Sequence, residues 1–363
     1  MRYVLVGDGE SPHLLKWARA LAALPQLDLW VASSRGFAPG FDAVLPATQR
    51  LALDTRPNTA GGNLGLLRHL PRLSRWLKQV DAPWVHAHYL TSHGTLVWLA
   101  RRFFGVRGLM VASAWGSDVL VTPGRSAAMR WALQRVLRDS ALCTSDSRVM
   151  AQRMQALGAA EVMVFPFGLQ ALPAVSTTKD DQFFFSNRAL EPLYAPERVL
   201  ALFAALNRPQ ARLVVANDGS LLPALKAQAA SLGIAQRVQF VGRLDAVSQA
   251  VCYDRARWYI SLPRSDSVAV SVLEAMAHGC VPVLSDLPAN RELVDDGHNG
   301  VIVADGAVLP ANTLAHLLPR ADKIASDNRN WVETHALFQP CVARFMSRLK
   351  LISPAAFAPG PRA

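Results

Sequence analysis

Two acidic residues in the C-terminal half have side chains and spacing that suit the binding of hydroxyl groups. Asp266 follows a strand-like segment at Trp258–Leu262, and Glu274 lies eight positions later in a helix-like segment, Val270–His278. Carboxylates accept hydrogen bonds from hydroxyl donors. The same spacing also fits an ordinary strand–helix–strand unit whose acids only cap the helix, so spacing alone leaves both interpretations open.

The start of this helix is a candidate anion site. In an open α/β sheet, ligands bind outside the carboxyl ends of the strands, where helix N-termini point. Backbone N–H groups there would suit a diphosphate. Glu274, about one turn further along, would reach a ribose, and Asp266 would reach sugar hydroxyls. The residues predicted at this helix start are Ser267, Val268, Ala269 and Val270.

The whole stretch, 261–303, resembles the donor-binding signature of the family 4 retaining glycosyltransferases, which have the GT-B fold. In that signature an acid, seven residues and a Glu lead into E-A-M-A-x-G-x-P-V. Here Asp266 and the run from Glu274 to Gly279 follow that order, and two residues rather than one precede Pro282 and Val283. A later Glu matches Glu292. One departure is Ser267, where the family often has Gly.

The resemblance implies both a fold and an activity. The fold is α/β, with two doubly wound Rossmann-like domains facing a central cleft. The activity is the transfer of a sugar from a nucleotide-diphosphate sugar to an acceptor with retained anomeric configuration. The implied enzyme is of the hexosyltransferase type and uses no metal and no cofactor besides its donor substrate. The resemblance also implies a role in the assembly of cell-surface polysaccharide, lipopolysaccharide or glycolipid, with a UDP- or GDP-sugar as donor.

Arg188 is the cation that the resemblance places on the donor diphosphate. It follows the strand-like segment Gln182–Ser186, and guanidinium groups hold phosphate oxygens in a bidentate manner. In the family a Lys follows a few positions later, but Leu193 and Tyr194 stand near that position here. The predicted catalytic residues are therefore Arg188, Asp266 and Glu274. Gly242 is predicted beside the nucleotide base. The missing Lys either makes the diphosphate site less cationic or passes its task to another residue such as Arg264.

The resemblance implies that the N-terminal half supplies the acceptor-side residues. Gly9 lies in a G-x-G turn after the first strand and would let the backbone approach a ligand. His13, four residues on, either contacts the acceptor or phosphate or caps the following helix. His88 ends the strand-like segment Trp84–His88. His86 is interpreted as pointing to the other side of that strand, with a structural role.

A further loop resembles the family's t-x-H-G-x-D segment. Trp115 occupies the position of the His, and an indole cannot give or take a proton at neutral pH. Trp115 is instead expected to pack on a sugar or nucleotide face. Asp118 is retained and is predicted either to organise the loop or to bind an acceptor hydroxyl.

Several elements should position these residues. Gly279 is predicted to follow the end of the helix, and Val281–Ser285 to form the next strand. We also predict a third strand at Phe41–Pro46, an amphipathic helix over Asn63–Val80 that is interrupted at Pro71, and one long helix over Asn330–Leu351.

The length of 363 residues suits two domains of ordinary size. The strand–helix rhythm breaks in a segment rich in Pro, Ser, Thr and Asp. The predicted parts are an acceptor-side domain at 1–170, a linker at 171–181, a donor domain at 182–330, a C-terminal helix at about 335–351 that packs back on the first domain, and a disordered tail at 353–363.

Composition and sequence ends favour a folded cytoplasmic protein. Hydrophobic residues make up 51% of the chain and charged residues 18%. The N-terminus has no signal-peptide pattern, and no uncharged apolar run approaches the length of a membrane span. The His residues show no zinc-ligand spacing. The four cysteines are far apart and are expected to be reduced and structural: Cys143, Cys252, Cys280 and Cys341.

Charge is distributed unevenly along the chain. Residues 1–180 carry 20 Lys and Arg against 11 Asp and Glu, a net charge of +9, while the remainder carries +2. The basic segments Asn63–Val80 and Arg101–Arg107 suggest contact with an anionic inner membrane surface or a lipid-diphosphate acceptor. A surface helix that buries one face on its sheet explains the first segment at least as well, and both interpretations hold together if the basic face lies toward lipid. No nucleic-acid module is present, so nucleic acid is not expected as a partner.

Two other functions share this sequence pattern. A nucleotide-sugar 2-epimerase has the same fold but needs acid and base residues around the sugar, and the E-A-M-A-x-G context favours transfer. A non-catalytic partner that binds nucleotide sugars would explain both the missing Lys and Trp115.

Overall fold

The computed structural model describes residues 1–55, 64–174, 179–306 and 312–357. The chain forms two compact units, each with its own parallel sheet. The first comprises Met1–Phe165 with Gln339–Ala363, and the second comprises Pro166–Phe338. The α/β fold class is therefore as predicted.

The first unit contains, among the described residues, a seven-stranded sheet in the order β3-β2-β1-β4-β5-β6-β7. All its strand pairs are parallel. The sequences of these strands are largely apolar, because helices cover both faces of such a sheet. The strands are β1 Arg2–Gly7, β2 Asp28–Ser33, β3 Arg50–Ala52, β4 Trp84–His88, β5 Leu109–Ser113, β6 Leu142–Ser145 and β7 Val162–Val164.

Helices follow most of these strands. Serine side chains cap three of them, as at Ser126, whose hydroxyl accepts from the N–H of Met129. The helices are α1 Pro12–Ala22, α2 Leu70–Val80, α3 Thr95–Phe104, α4 Ser117–Leu120, α5 Thr122–Arg125, α6 Ala127–Asp139 and α7 Arg148–Ala156.

The predicted interruption at Pro71 is a helix start. Leu64–His69 forms a 3-10 segment, and α2 begins at Leu70 with Pro71 in its first turn. Proline is tolerated there because the first N–H groups of a helix have no intrahelical acceptor. Asn63, the predicted first residue, lies outside the described residues.

The second unit contains a six-stranded parallel sheet in the order β10-β9-β8-β11-β12-β13, within the ranges described. Chain order reverses between β8 and β11, which are neighbours. Ligands of open α/β sheets bind at such a reversal. The strands are β8 Asp180–Ser186, β9 Arg212–Ala216, β10 Val238–Gly242, β11 Ala256–Ser261, β12 Val281–Ser285 and β13 Val301–Val303.

The helices of the second unit pack around this sheet, and one more helix ends the described chain. Gly279 follows the end of the helix Val270–Ala277, and its positive φ of 80° confirms the predicted helix end. The helices are α8 Pro196–Ala205, α9 Leu222–Ser231, α10 Ala246–Arg255, α11 Val270–Ala277, α12 Pro288–Arg291, α13 Thr313–Leu317, α14 Ala321–His335 and α15 Phe338–Ile352.

The predicted third strand at Phe41–Pro46 is wrong. Pro39–Phe41 forms a 3-10 turn, and the N–H groups of Val44 and Leu45 both donate to the carbonyl of Phe41. Backbone groups committed to local turns cannot join a strand ladder. The third strand is β3, beyond the second proline of this loop.

The predicted long helix at Asn330–Leu351 is also wrong, because α14 and α15 are separate. Between them the N–H of Leu169 donates to the carbonyl of Ala336, and the N–H of Phe338 donates to that of Leu169, both at 2.8 Å. The close approach requires Gly168, where a Cβ would lie 1.6 Å from the Ala336 carbonyl oxygen. A distant segment therefore takes the hydrogen bonds that a continuous helix would need.

Helix α15 packs within the first unit. The ring of Phe345 lies 5.4 Å from that of Trp17 and 5.5 Å from that of His86. Arg348 donates to both carboxylate oxygens of Glu161, at 2.5 and 2.6 Å. These contacts fix the helix through aromatic packing and one bidentate ion pair.

Two predicted boundaries change. Asp180 and Asp181 belong to β8, so the linker at 171–181 ends earlier than expected, and residues 175–178 lie outside the described ones. Of the predicted tail at 353–363, Pro354–Phe357 forms a short 3-10 turn, and 358–363 are not described. Within the described ranges, no helix is both long and apolar enough to cross a bilayer.

Candidate active site

The carboxyl ends of β8 and β11 bring Arg188 and Asp266 together. The strands pair in register, with Phe185 opposite Tyr259. Nη2 of Arg188 donates to Oδ2 of Asp266 at 2.6 Å, and Nη1 donates to Oγ of Ser271 at 3.1 Å. Residues 78 positions apart in sequence therefore share one site because their strands are neighbours.

Tyr194 completes the surroundings of Arg188. The guanidinium carbon lies 4.6 Å from the centre of the Tyr194 ring. This residue ends the 3-10 turn Pro192–Tyr194, near the place where the family has its Lys. A ring face holds a guanidinium by cation–π attraction. The Arg188 side chain keeps 15% of its surface exposed, enough for a ligand to reach it.

The two charges influence each other's ionisation. Burial is the largest single influence and lowers the pKa of Arg188, but Asp266, Tyr259 and Tyr194 together outweigh it, and the pKa is raised. Burial raises the pKa of Asp266, and Arg188 offsets part of that rise. Arg188 is therefore a permanent cation at the head of α11.

Glu274 lies on α11, with its carboxylate held by two neutral donors of α10. Its Oε2 accepts from the Tyr253 hydroxyl at 3.1 Å and from Nε2 of Gln249 at 3.3 Å. Tyr253 is 2% exposed, so its hydroxyl needs protein partners. These contacts orient the carboxylate without neutralising it.

A chain of polar groups links β8 and β11 to Tyr253. Nδ2 of Asn187 donates to the Tyr253 hydroxyl at 2.8 Å, and the Tyr259 hydroxyl donates to Oδ1 of Asn187 at 2.7 Å. Asn187 directly precedes Arg188, so the network fixes the backbone that carries the guanidinium.

The start of α11 agrees only in part with the predicted anion site. Its capping residue is Ala269, which provides no side-chain cap for the first N–H groups. The N–H of Ser267, however, donates to Oδ1 of its neighbour Asp266 at 3.0 Å. The prediction that the Ser267 N–H faces a ligand is therefore corrected. Donor contacts at Val268, Ala269 and Val270 remain predictions.

Gly242 ends β10 with a φ of 69°, a left-handed conformation that favours glycine. Its carbonyl accepts from the N–H of Asn217 at 2.6 Å. The turn thus lies at the carboxyl end of the second sheet, and contact with a nucleotide base remains a prediction. The guanidinium of Arg264 pairs with Glu197 at 2.7 Å, and its substitution for the missing Lys remains a prediction.

In the first unit, Gly9 serves the packing of its own loop. Its N–H donates to Oγ of Ser33 at 2.8 Å, and a Cβ would lie 2.5 Å from the carbonyl oxygen of Gly36. Gly9 is buried. The backbone that approaches Gly9 closely is thus that of the Gly36 loop, where the prediction had a ligand.

His13 and Trp115 are brought together, with ring centres 4.4 Å apart in an edge-to-face arrangement. Burial, with a smaller contribution from Lys16, lowers the pKa of His13 to about 4. His13 is therefore neutral above that pH. Acceptor contacts of His13 and Trp115 remain predictions.

His88 is buried at 2% exposure, and neither ring nitrogen has a hydrogen-bond partner among the described residues. His86 does not point to the opposite side. Side chains two positions apart share a face of a strand, and the two rings lie 4.3 Å apart. His86 is structural, however, because its ring bonds to the Tyr3 hydroxyl and to Oγ of Ser113. Burial lowers the pKa of His86 to about 3.

Asp118 organises two loops. Its carboxylate accepts from the N–H of Leu90 at 2.8 Å and from that of Trp115 at 2.9 Å, and the residue is fully buried. Burial raises its pKa to about 6, although these backbone donors oppose the rise. Of the two predicted roles, the geometry favours loop organisation, because an acceptor hydroxyl has no access.

Sequence reasoning missed the neutral residues that hold the charged ones. Their polar atoms contact Arg188 or Glu274 directly or through one neighbour. Tyr253 has the spacing of a core residue in its helix. Such a tyrosine weakly indicates a nearby polar group, because a buried hydroxyl needs a hydrogen-bond partner. The missed residues are Asn187, Tyr194, Gln249 and Tyr253, together with the side-chain hydroxyl of Ser271.

Comparison with protein families gives two matches that together span most of the chain. Residues 8–168 match the glycosyl transferase 4-like domain. Residues 171–319 match the glycosyl transferases group 1 family.

Curated relatives match over shorter regions. The chain is 31% identical over 114 residues, 30% of its length, to GDP-mannose:cellobiosyl-diphosphopolyprenol alpha-mannosyltransferase of Xanthomonas oryzae pv. oryzae (strain PXO99A). It is 32% identical over 108 residues, 29% of its length, to alpha-monoglucosyldiacylglycerol synthase of Streptococcus pneumoniae (strain ATCC BAA-255 / R6). The matched regions span only 29% and 24% of these relatives.

Solved structures match over nearly the whole chain. Anabaena HepE, crystallised in complex with UDP, has a TM-score of 0.74 at 16% identity, covering 96% of this chain and 100% of that one. The lipopolysaccharide outer core galactosyltransferase WaaB, in its apo form, has a TM-score of 0.73 at 15% identity, with coverage of 96% and 100%. At such identities the likeness establishes the fold. With both family matches and this fold, the chain belongs to the group 1, family 4-like glycosyltransferases of the GT-B fold.

Proposed function

We propose that this protein transfers a sugar from a nucleotide-diphosphate sugar to an acceptor with retained anomeric configuration. The observation that carries the proposal is the joint placement of Arg188, Asp266 and Ser271 at the head of α11, with Glu274 one turn along the same helix. A fixed cation beside a helix N-terminus suits a diphosphate, and a carboxylate nearby suits ribose hydroxyls.

Charge development explains why the cation matters. As the bond between the anomeric carbon and the diphosphate oxygen breaks, the diphosphate gains negative charge. Arg188 and the first N–H groups of α11 would stabilise that charge, and their orientation is set before the reaction. The acceptor oxygen bonds to the same face of the sugar, and its proton passes to the leaving diphosphate. Metal independence is part of the proposal.

Asp266 and Glu274 would position the donor. Asp266 would bind hydroxyls of the donor sugar, and Glu274 would bind the ribose. The donors Tyr253 and Gln249 hold the Glu274 carboxylate in one orientation, which limits the entropy lost when a ligand binds.

The acceptor proposed is a carbohydrate, carried by a lipid, in cell-surface polysaccharide, lipopolysaccharide or glycolipid assembly. The Xanthomonas relative is named for a diphosphopolyprenol acceptor and the Streptococcus relative for a glycosyldiacylglycerol product. The same proposal places the protein peripherally on the inner face of the cell membrane. UDP and GDP are both candidate donor bases, since HepE was crystallised with UDP and the Xanthomonas relative is named for GDP-mannose.

A thermal-shift screen against UDP, GDP and their sugars tests the donor class, because a ligand that binds the folded state raises the melting temperature. The preferred donor is then incubated with EDTA and with lipid-linked acceptors, and the products are analysed. Transfer with retained configuration that survives EDTA supports the proposal. An epimer formed from the donor alone supports the 2-epimerase, and binding without any turnover supports a non-catalytic partner.

A further inference from the structure

Helices α2, α3 and α6 lie side by side in the first unit and carry a strong positive charge. One groove runs between α2 and α3, lined by Arg75 and Lys78 on one side and Phe104 on the other. A second runs between α3 and α6, lined by Arg101, Arg102 and Asp139 among others. The three helices therefore form one continuous surface.

Exposed aromatic side chains lie on this surface. Phe103 is 65% exposed and Trp131 is 51% exposed. Trp98 lies between them, with ring centres 6.2 Å from Phe103 and 5.8 Å from Trp131. Nε1 of Trp98 donates to the carboxylate of Asp139 at 2.6 Å, which fixes the central ring. We call Phe103, Trp98 and Trp131 the aromatic patch.

Arginines border the aromatic patch directly. The guanidinium of Arg102 lies over the ring of Phe103 at 5.5 Å, and that of Arg135 lies over the ring of Trp131 at 5.4 Å. The single acidic residue in the three helices is Asp139. None of the exposed cations of these helices forms an ion pair with any residue in the described ranges: Arg72, Arg75, Lys78, Arg102, Arg130, Arg135 and Arg138.

What sets this surface apart is concentration: seven exposed cations without an acidic partner in the described ranges lie on three adjacent helices. Elsewhere in the first unit some arginines pair with acids, as Arg35 does with Asp8 at 3.4 Å and Arg348 does with Glu161 at 2.5 Å. A face with a row of unpaired cations and adjacent exposed aromatic rings is suited to an anionic partner with an apolar layer beneath its charges.

We propose that α2, α3 and α6 dock on an anionic phospholipid bilayer. Phe103 and Trp131 enter the boundary between headgroups and acyl chains, where aromatic side chains are favoured. The surrounding arginines bind lipid phosphates, and each cation near an anionic membrane strengthens binding. The inference does not depend on the donor chemistry. It assigns the general membrane contact proposed above to particular helices.

A nucleic acid is the rival partner for a basic aromatic surface. Bases stack on open ring faces. Arg102 and Arg135 already lie over faces of Phe103 and Trp131. A bilayer needs only the apolar edge of each ring and the free N–H groups of the arginines, and for that reason we favour it.

Flotation of the full chain with vesicles tests the proposal. One set contains phosphatidylcholine only, and the other contains equal parts of phosphatidylcholine and phosphatidylglycerol. The parent protein should float with the anionic set alone. Arg102→Gln with Arg135→Gln should weaken that binding by about twenty-fivefold, since each cation near the surface contributes about fivefold. Phe103→Ser with Trp131→Ser should abolish flotation at the same lipid concentration.

Matched controls come from the second unit. Val247 and Val251 are 75% and 62% exposed on α10, so Val247→Ser with Val251→Ser removes exposed apolar surface elsewhere. Arg212→Gln with Lys226→Gln removes two exposed cations elsewhere. Both control variants should float as the parent does.

Folding and donor binding are measured on the same samples by thermal unfolding with and without UDP or GDP. Variants of the surface that keep both properties but lose flotation support the proposal, whatever the sugar chemistry proves to be. The arginine variant still gives a test where the serine variant fails to fold. Equal flotation of parent and surface variants overturns the proposal. So does equal binding to neutral vesicles, or binding of an oligonucleotide where no vesicle binds.

Discussion

Arg188 donates to the carboxylate of Asp266 at 2.6 Å and thereby joins the loops that follow β8 and β11. Neither residue is fully withdrawn from solvent, since their side chains remain 15% and 22% exposed. An incoming diphosphate can therefore take over part of the guanidinium, whose several N–H groups allow more than one anionic partner.

Replacing Arg188 by Gln removes the cation and the partner of Asp266. We expect transfer to fall by about a hundredfold or more, as when a preorganised donor to developing charge is lost. Initial rates at saturating acceptor measure the effect. Arg212→Gln, on the exposed start of β9, is the matched control and should keep the parent rate. An Arg188→Gln enzyme with parental rates would exclude the guanidinium from the reaction.

Asp118 should make the stability of the protein depend on pH. Its pKa is raised by burial to about 6 in the folded state from 3.8, so the folded state favours the protonated form. That contribution is complete below about pH 4 and is lost as pH rises through 6. Asp118→Asn cannot titrate, so its free energy of unfolding relative to the parent should rise between pH 4 and pH 7 by on the order of 3 kcal/mol. Urea unfolding of both proteins across this range measures the difference, and parallel pH profiles would contradict the assignment.

His86 and His88 should respond in opposite ways to the same substitution. His86→Phe leaves the buried Tyr3 hydroxyl without its partner and removes one of the two partners of Ser113, which should cost about 2 kcal/mol. His88→Phe removes buried ring nitrogens that have no partner among the described residues, so stability should hold or rise. Chemical denaturation measures both variants. If His88→Phe keeps its stability but loses transfer, His88 serves the acceptor despite its burial; a destabilised His88→Phe would mean that the ring is structural.

Gly168 should tolerate no side chain. A Cβ there would lie 1.6 Å from the carbonyl oxygen of Ala336, against backbone that cannot move without breaking the bridge to Leu169. Gly168→Ala should destabilise the second unit by about 3 kcal/mol. Gly124→Ala is the control, because a Cβ there meets nothing within 4 Å. Thermal unfolding compares the two, and equal melting temperatures would contradict the packing described for α14 and α15.

The sequence specified the donor-side elements well because their signals are local. Val281–Ser285 is an apolar run that the sheet buries on both faces, and Gly279 adopts the left-handed conformation that ends the preceding helix. Two different motifs of the family predict Arg188 and Asp266 as donor-site residues, each without reference to the other. Their contact follows from the pairing of β8 with β11, which is a property of the sheet order and is not written in either segment.

Other features depend on partners distant in sequence. The break between α14 and α15 arises from hydrogen bonds with Leu169, more than 160 positions away. Helical spacing does not contain that information, so it predicts one unbroken helix. Sequence spacing predicts a ligand contact at Gly9, because the Gly36 loop that actually contacts it is distant in the chain. Tyr253 has the spacing of a core residue, and only its buried hydroxyl beside Glu274 reveals a role in the site.

Titration of UDP and GDP into Glu274→Gln tests the central claim most directly. The substitution preserves shape and the hydrogen bond from Tyr253 but removes the charge proposed to bind ribose. The dissociation constant should rise by about tenfold to a hundredfold, the range for loss of a hydrogen bond to a charged group. Glu333→Gln, on an exposed face of α14, should bind as the parent does. Parental nucleotide affinity in Glu274→Gln would contradict the donor site described here.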